Sequence, residues 1–127
     1  MSIDIKVYKT GDFIRKDAKG TIDLERSREE VRQLALTTHY FKGHNILLDL
    51  RETVVDGDRA DTLQVAAAFA HYFKSFRNKI AVIIPGGEER MAKAEFMRTC
   101  MHLHGFQWEF FMAYEDAIDW LSEIREI

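Results

Sequence analysis

Hydrophobic and polar residues alternate through positions 3–8, with Ile3, Ile5 and Val7 on one side and Asp4, Lys6 and Tyr8 on the other. That is the period of a half-exposed strand. Positions 13–24, FIRKDAKGTIDL, predict a second strand with a bend at Gly20. The period then lengthens. Ser27 and Glu30 have capping-box spacing, and Val31, Leu34, Ala35 and Phe41 set the inward face of a helix that Gly43 stops. Two uninterrupted apolar runs, at 45–50 and 79–85, suit central strands shielded by neighbours. A helix capped by Asp58 is expected between them over 59–76, and another over 88–104, ended by Gly105. A short aromatic strand at 107–112 and a final helix from Glu115 follow, the helix turning Ala117, Ile118, Leu121 and Ile124 inward.

The order is therefore β-β-α-β-α-β-α-β-α, an alternation that implies a largely parallel sheet with right-handed crossovers. The expected architecture is one α/β domain over residues 1–127. Its sheet is mixed, mostly parallel and of about five strands, with helices mainly on one face.

Composition narrows the function. The 46% hydrophobic content suits one globular core. A net charge of −3 without a basic block argues against nucleic acid. The single cysteine, Cys100, excludes an internal disulfide and, with no apolar signal core at the N-terminus, points to the cytoplasm. No apolar run is long enough to span a membrane.

Two motifs invite chemistry. Cys100 and His104 share a helical face, but His102 and His104 point about 200° apart, and a metal site needs further ligands from elsewhere. Cys100 lies with Phe96 and Leu103 on an apolar arc, the setting of a buried thiol rather than a nucleophile. Pro85-Gly86-Gly87 sits where phosphate loops sit, yet matches neither phosphate-binding spacing, and Glu88 and Glu89 complement the helix dipole themselves. No nucleophile, base and orienting group assemble, so no enzyme, cofactor or metal is expected.

The strand ending Asp49-Leu50-Arg51 and the turn Asp56-Gly57-Asp58 resemble the STAS domain, and specifically its SpoIIAA-like branch of short bacterial proteins. NILLDLRE at 45–52, KIAVII at 79–84 and EDAIDWL at 115–121 carry the resemblance. It implies a non-enzymatic regulatory domain that meets a protein partner at the joint formed by Asp56, Gly57, Asp58, Asp61 and Thr62. In anti-anti-sigma factors the matching turn carries serines, one of them phosphorylated. Gly57 and Asp58 stand there instead, so Asp58 is either a fixed negative charge in place of a phosphate or simply an N-cap.

The helix at 59–76 is unusually apolar. Leu63, Ala66, Ala67, Ala70 and Phe73 form one stripe, and Val65, Phe69, Tyr72 and Phe76 a second, roughly 115° away. The second stripe, with Met97 and Met101 from the next helix, is packed inside the monomer, or forms a homodimer interface, or lines a groove for a small apolar ligand or lipid. That groove is the alternative to a partner-binding role, and a link to membrane lipid stays open.

Overall fold

The computed structural model describes residues 13–123. The elements are β1 (Phe13–Ile22), α1 (Leu24–Tyr40), β2 (Asn45–Val55), α2 (Arg59–His71), a 3-10 turn (Phe73–Ser75), β3 (Ile80–Ile83), α3 (Glu88–Leu103), β4 (Trp108–Phe111) and α4 (Tyr114–Leu121). The strands lie in the order β1-β2-β3-β4, and each neighbouring pair is parallel. The described sheet is thus four-stranded and wholly parallel. The strand expected at 3–8, and the antiparallel hairpin it would have made, fall outside the described residues, as does Ile124.

The winding dictates the layers. Right-handed crossovers between successive neighbours place every connecting helix on the same face. Accordingly Val31, Leu34 and Ala35 of α1, Ala66 and Phe69 of α2, and Ala94, Cys100 and Met101 of α3 share one core with Ile46, Leu48, Ile80, Val82 and Trp108. The last helix, α4, connects to no further strand and covers the opposite face, closing Ala117, Ile118 and Leu121 over Leu47, Ala81 and Ile83. All four residues of β3 are buried, which is why that strand reads as an unbroken apolar run.

Several local expectations change. Helix α1 starts three residues before Ser27: the Asp23 carboxylate accepts from Arg26 N at 2.8 Å and caps it. Ser27 N donates to Asp23 O, so Ser27 is already inside the helix. Phe41, beyond the last turn, is half exposed rather than inward, and Leu63 is likewise exposed on α2. Helix α2 stops at His71, and the 3-10 turn after it carries the chain to Phe76, which remains buried. Gly105, at φ 86°, ends α3 as expected. Its N–H reaches His102 O while Phe106 N reaches Met101 O, the paired bonds of a Schellman ending.

Strand β2 runs past Leu50 to Val55. Its register with β1 slips by one between Asp17↔Asp49 and Lys19↔Glu52, so Leu50 and Arg51 together face Ala18. This β-bulge inverts the alternation. Before it Leu48 faces the helical layer; after it Arg51 and Glu52 are both exposed, and Thr53 turns inward. The strand outruns β3, and α3 covers the exposed side: Arg90 donates to Thr53 O at 3.0 Å and Thr53 Oγ1 at 2.9 Å, and Lys93 Nζ to Val55 O at 3.2 Å.

On the α4 side of β2, Asp49 is buried and accepts from Arg51 Nε at 2.9 Å and Nη2 at 2.7 Å. The Arg51 hydrogen bond holds the Asp49 carboxyl below the usual carboxylate range. Because the folded value lies below the unfolded one, the stability Asp49 contributes is complete above the unfolded carboxyl pKa of about 3.9 and is lost as pH falls through the folded value. Asp49→Asn is expected to flatten the acid limb of stability, read by urea denaturation between about pH 5 and about pH 2.

Candidate functional site

At the joint between β2 and α2, the acids are occupied with one another. Asp61 N donates to Asp58 Oδ1 at 3.0 Å, and Asp58 N donates to Asp61 Oδ2 at 3.1 Å, a complete capping box. Thr62 Oγ1 donates to Asp58 O at 3.2 Å. Gly57 lies so close that a Cβ there would stand 3.0 Å from Asp61 Oδ2. Asp56 N is tied to Ile22 O at 2.8 Å, and its side chain is exposed. The geometry is that of a helix start. Asp58→Ala is expected to cost about 1 kcal/mol and Asp58→Ser only a few tenths, since serine caps equally well; chemical denaturation of the two variants separates them.

Beneath this joint lies a cavity of about 170 Å³. It sits between the sheet and helices α1, α2 and α3, opening toward the carboxyl ends of the strands, where α/β sheets usually take ligands. The helices line it in rungs. Ser27, Thr62 and Arg90 form the first, one from the opening turns of each helix. Val31, Val65 and Ala94 form the second, a turn deeper. Leu34, Phe69 and Met97 form the third, over a floor of Leu48, Val82 and Trp108. Seven residues separate first rung from third on every helix, a depth of about 10 Å. The first rung is polar and the helix rungs below it are apolar, while Lys16 of β1, in register with Leu48, borders the lower end.

The structure therefore divides the residues singled out from sequence. Thr62, Val65, Phe69 and Met97 converge on the cavity. Asp56, Gly57, Asp58 and Asp61 form its neighbourhood at the surface without lining it. Phe76 and Met101 do not reach it: they are 1% and 0% exposed, and Phe76 packs edge-on against Phe69 at 4.9 Å between ring centres. Tyr72 lines a shallow outer groove between α1 and α2 with charged neighbours such as Arg32 and Glu29. With Phe69 and Phe76 turned inward, the aromatic stripe is not an exposed surface for a second subunit. Cys100 is buried in the helical core and His104 is exposed, so the two do not form a pair. Among the described residues no three His, Cys, Asp or Glu side chains gather as a metal site, and no helix is long and apolar enough to cross a membrane.

Lys16, Arg90 and Lys93 also line the cavity, and periodicity alone did not single them out. Arg90 is partly buried and has no carboxylate within ion-pair distance among the described residues; burial pushes its guanidinium below the ordinary value. The signal for this corner was the consecutive polar pair Arg51-Glu52, which breaks strand alternation and marks the bulge that brings Val55 and Thr53 to α3.

This sheet order, with three crossover helices on one face and a terminal helix on the other, defines a SpoIIAA-like fold. The chain is similar in structure to a crystallised uncharacterised protein of the DUF3478 family with a SpoIIAA-like fold from Shewanella loihica PV-4. The two are 21% identical, the match covers 95% of this chain and 98% of the other, and the TM-score is 0.54. No protein-family model matches the chain, and no curated protein does.

Proposed function

We propose that this chain is a non-enzymatic binding domain whose ligand is a small apolar molecule, or the apolar part of a lipid, held in the cavity beneath the β2–α2 joint. The observation that carries the reading is the cavity itself, three rungs deep and apolar over the lower two. The space, about 170 Å³, is half open to solvent and lined mostly by apolar side chains, a wall that a bound apolar molecule would cover. A void of about 150 Å³ accepts benzene. The depth suits an extended chain of about eight carbons. Burying eight carbons contributes roughly 6 kcal/mol before association costs are subtracted, so a simple eight-carbon ligand is expected to bind at about 0.1 mM or somewhat weaker.

The two tryptophans make the test direct. Trp108 forms part of the cavity floor, while Trp120 packs on the α4 face against Phe111. In Trp120→Phe protein, titration with 1-octanol is expected to change Trp108 emission saturably. A strictly linear response up to the solubility limit of octanol counts against the reading.

A protein partner at the joint is the second reading. It is favoured by the exposure of Asp56 and Asp58 at a capped helix start. Because Thr62 belongs to both joint and cavity, a ligand beneath could alter the surface a partner meets.

A further inference from the structure

We infer that the ligand is a single-chain amphiphile with an anionic head, and that Arg90, supported by Lys93, receives the head at the polar end of the cavity. This rests on the cavity being a ligand site and adds the chemical class of what enters it.

Charge and position carry the inference. Three cations and one carboxylate, Glu30, line the cavity. Glu30 already has a partner: Arg26 Nε stands 3.2 Å from its Oε1. Arg90 spends two donors on Thr53, one on the carbonyl and one on the hydroxyl, neither of which neutralises it. A guanidinium has five N–H donors, so three remain. A charge withdrawn this far from water is ordinarily matched by an opposite charge. Lys93 leans on Val55 O and on Glu89, 3.5 Å away and itself freely exposed, a weak competitor for an incoming anion. Lys16 of β1, in register with Leu48, lies away from this end and interacts with the Glu29 carboxylate.

The remaining acids nearby are accounted for. Asp58 and Asp61 are locked in their mutual capping box, and Asp23 caps α1. The Ser27 hydroxyl comes from the same rung as Arg90, whereas the Thr62 hydroxyl is already donated to Asp58 O, so an oxyanion there meets a planar cation and one hydroxyl-bearing side chain. The rungs below are apolar and suit an alkyl tail. A carboxylate on an unbranched tail of about eight carbons fits both ends.

The test compares octanoate with 1-octanol, which share a tail and differ in the head, by calorimetric titration at neutral pH. Wild-type protein is expected to bind octanoate at least about tenfold more tightly than octanol. In Arg90→Gln that preference is expected to fall close to unity, and in Arg90→Lys to survive in part, because the charge remains and the fork is lost. Lys93→Gln serves if Arg90→Gln does not fold, with a smaller loss expected. Equal binding of octanoate and octanol by wild type overturns the anionic-head assignment and leaves the apolar cavity standing. A preference that persists unchanged in both Arg90→Gln and Lys93→Gln also overturns the assignment. Binding of neither ligand removes this inference and the ligand-site reading beneath it together.

Discussion

Phe76→Ala is expected to lower the free energy of unfolding by about 3–5 kcal/mol, the range for a buried Phe truncated in a core. The residue is almost wholly enclosed and meets Phe69 edge-to-face, and Phe69 in turn meets Phe106 at 6.2 Å between ring centres. Truncation therefore removes both the buried area and one aromatic contact. The α2 helix has already ended five residues earlier, so little backbone can collapse into the space. Because Phe76 does not line the cavity, the fold that survives is expected to keep its affinity for octanol. Equilibrium urea denaturation measures the loss. A cost below about 1 kcal/mol would place Phe76 on a surface or in an adaptable groove instead.

Val65→Phe is expected to do the reverse. Val65 is the α2 member of the middle rung, and a phenyl group there projects into a void large enough for an aromatic ring. The ring displaces about four carbons of an eight-carbon ligand, which corresponds to a loss of affinity on the order of a hundredfold. Stability is expected to stay level or rise, since the substitution fills space that is otherwise vacant. In a tightly packed site the same change would cost roughly 1–3 kcal/mol in strain. Calorimetric titration and thermal unfolding of one sample read both quantities. The opposite signs of Phe76→Ala and Val65→Phe separate core from cavity along a single stripe that looks uniform in sequence.

That uniformity explains what periodicity can and cannot convey here. The parallel strands and the helices between them were legible because β3 is apolar throughout and α2 and α3 carry broad apolar arcs. Helix-start chemistry at Asp58 was legible too, since an aspartate before a helix has one dominant use. Start of α1 was not: Ser27 and Glu30 have the right spacing, but Asp23 lies nearer the end of β1 and takes the role first. The stripe of Val65, Phe69, Tyr72 and Phe76 carries no mark of which member meets solid core and which meets a void, because both surroundings want apolar side chains. The end of α2 at His71 and the bulge opposite Ala18 decide it, and both depend on tertiary packing. Arg90 was hidden for a similar reason. In sequence it follows two surface glutamates, and only the overrun of β2 past β3 gives it something to cover.

The SpoIIAA-like resemblance extends to the fold, and at the joint this chain departs from the phosphorylated pattern. With Asp58 and Asp61 capping each other and the Thr62 hydroxyl donated to Asp58 O, the polar groups of the joint are engaged in starting a helix. The space directly beneath them is the feature that a helix start alone does not require.

The central claim is that this space takes an apolar ligand, and two methionines of one helix test it most directly. Met97 lines the cavity, whereas Met101, one turn further along α3, is sealed in the core away from it. With methyl-labelled methionine, titration of octanol followed by NMR is expected to shift the Met97 methyl resonance progressively to saturation while Met101 moves little. No movement at Met97, or equal movement at both, would contradict the account.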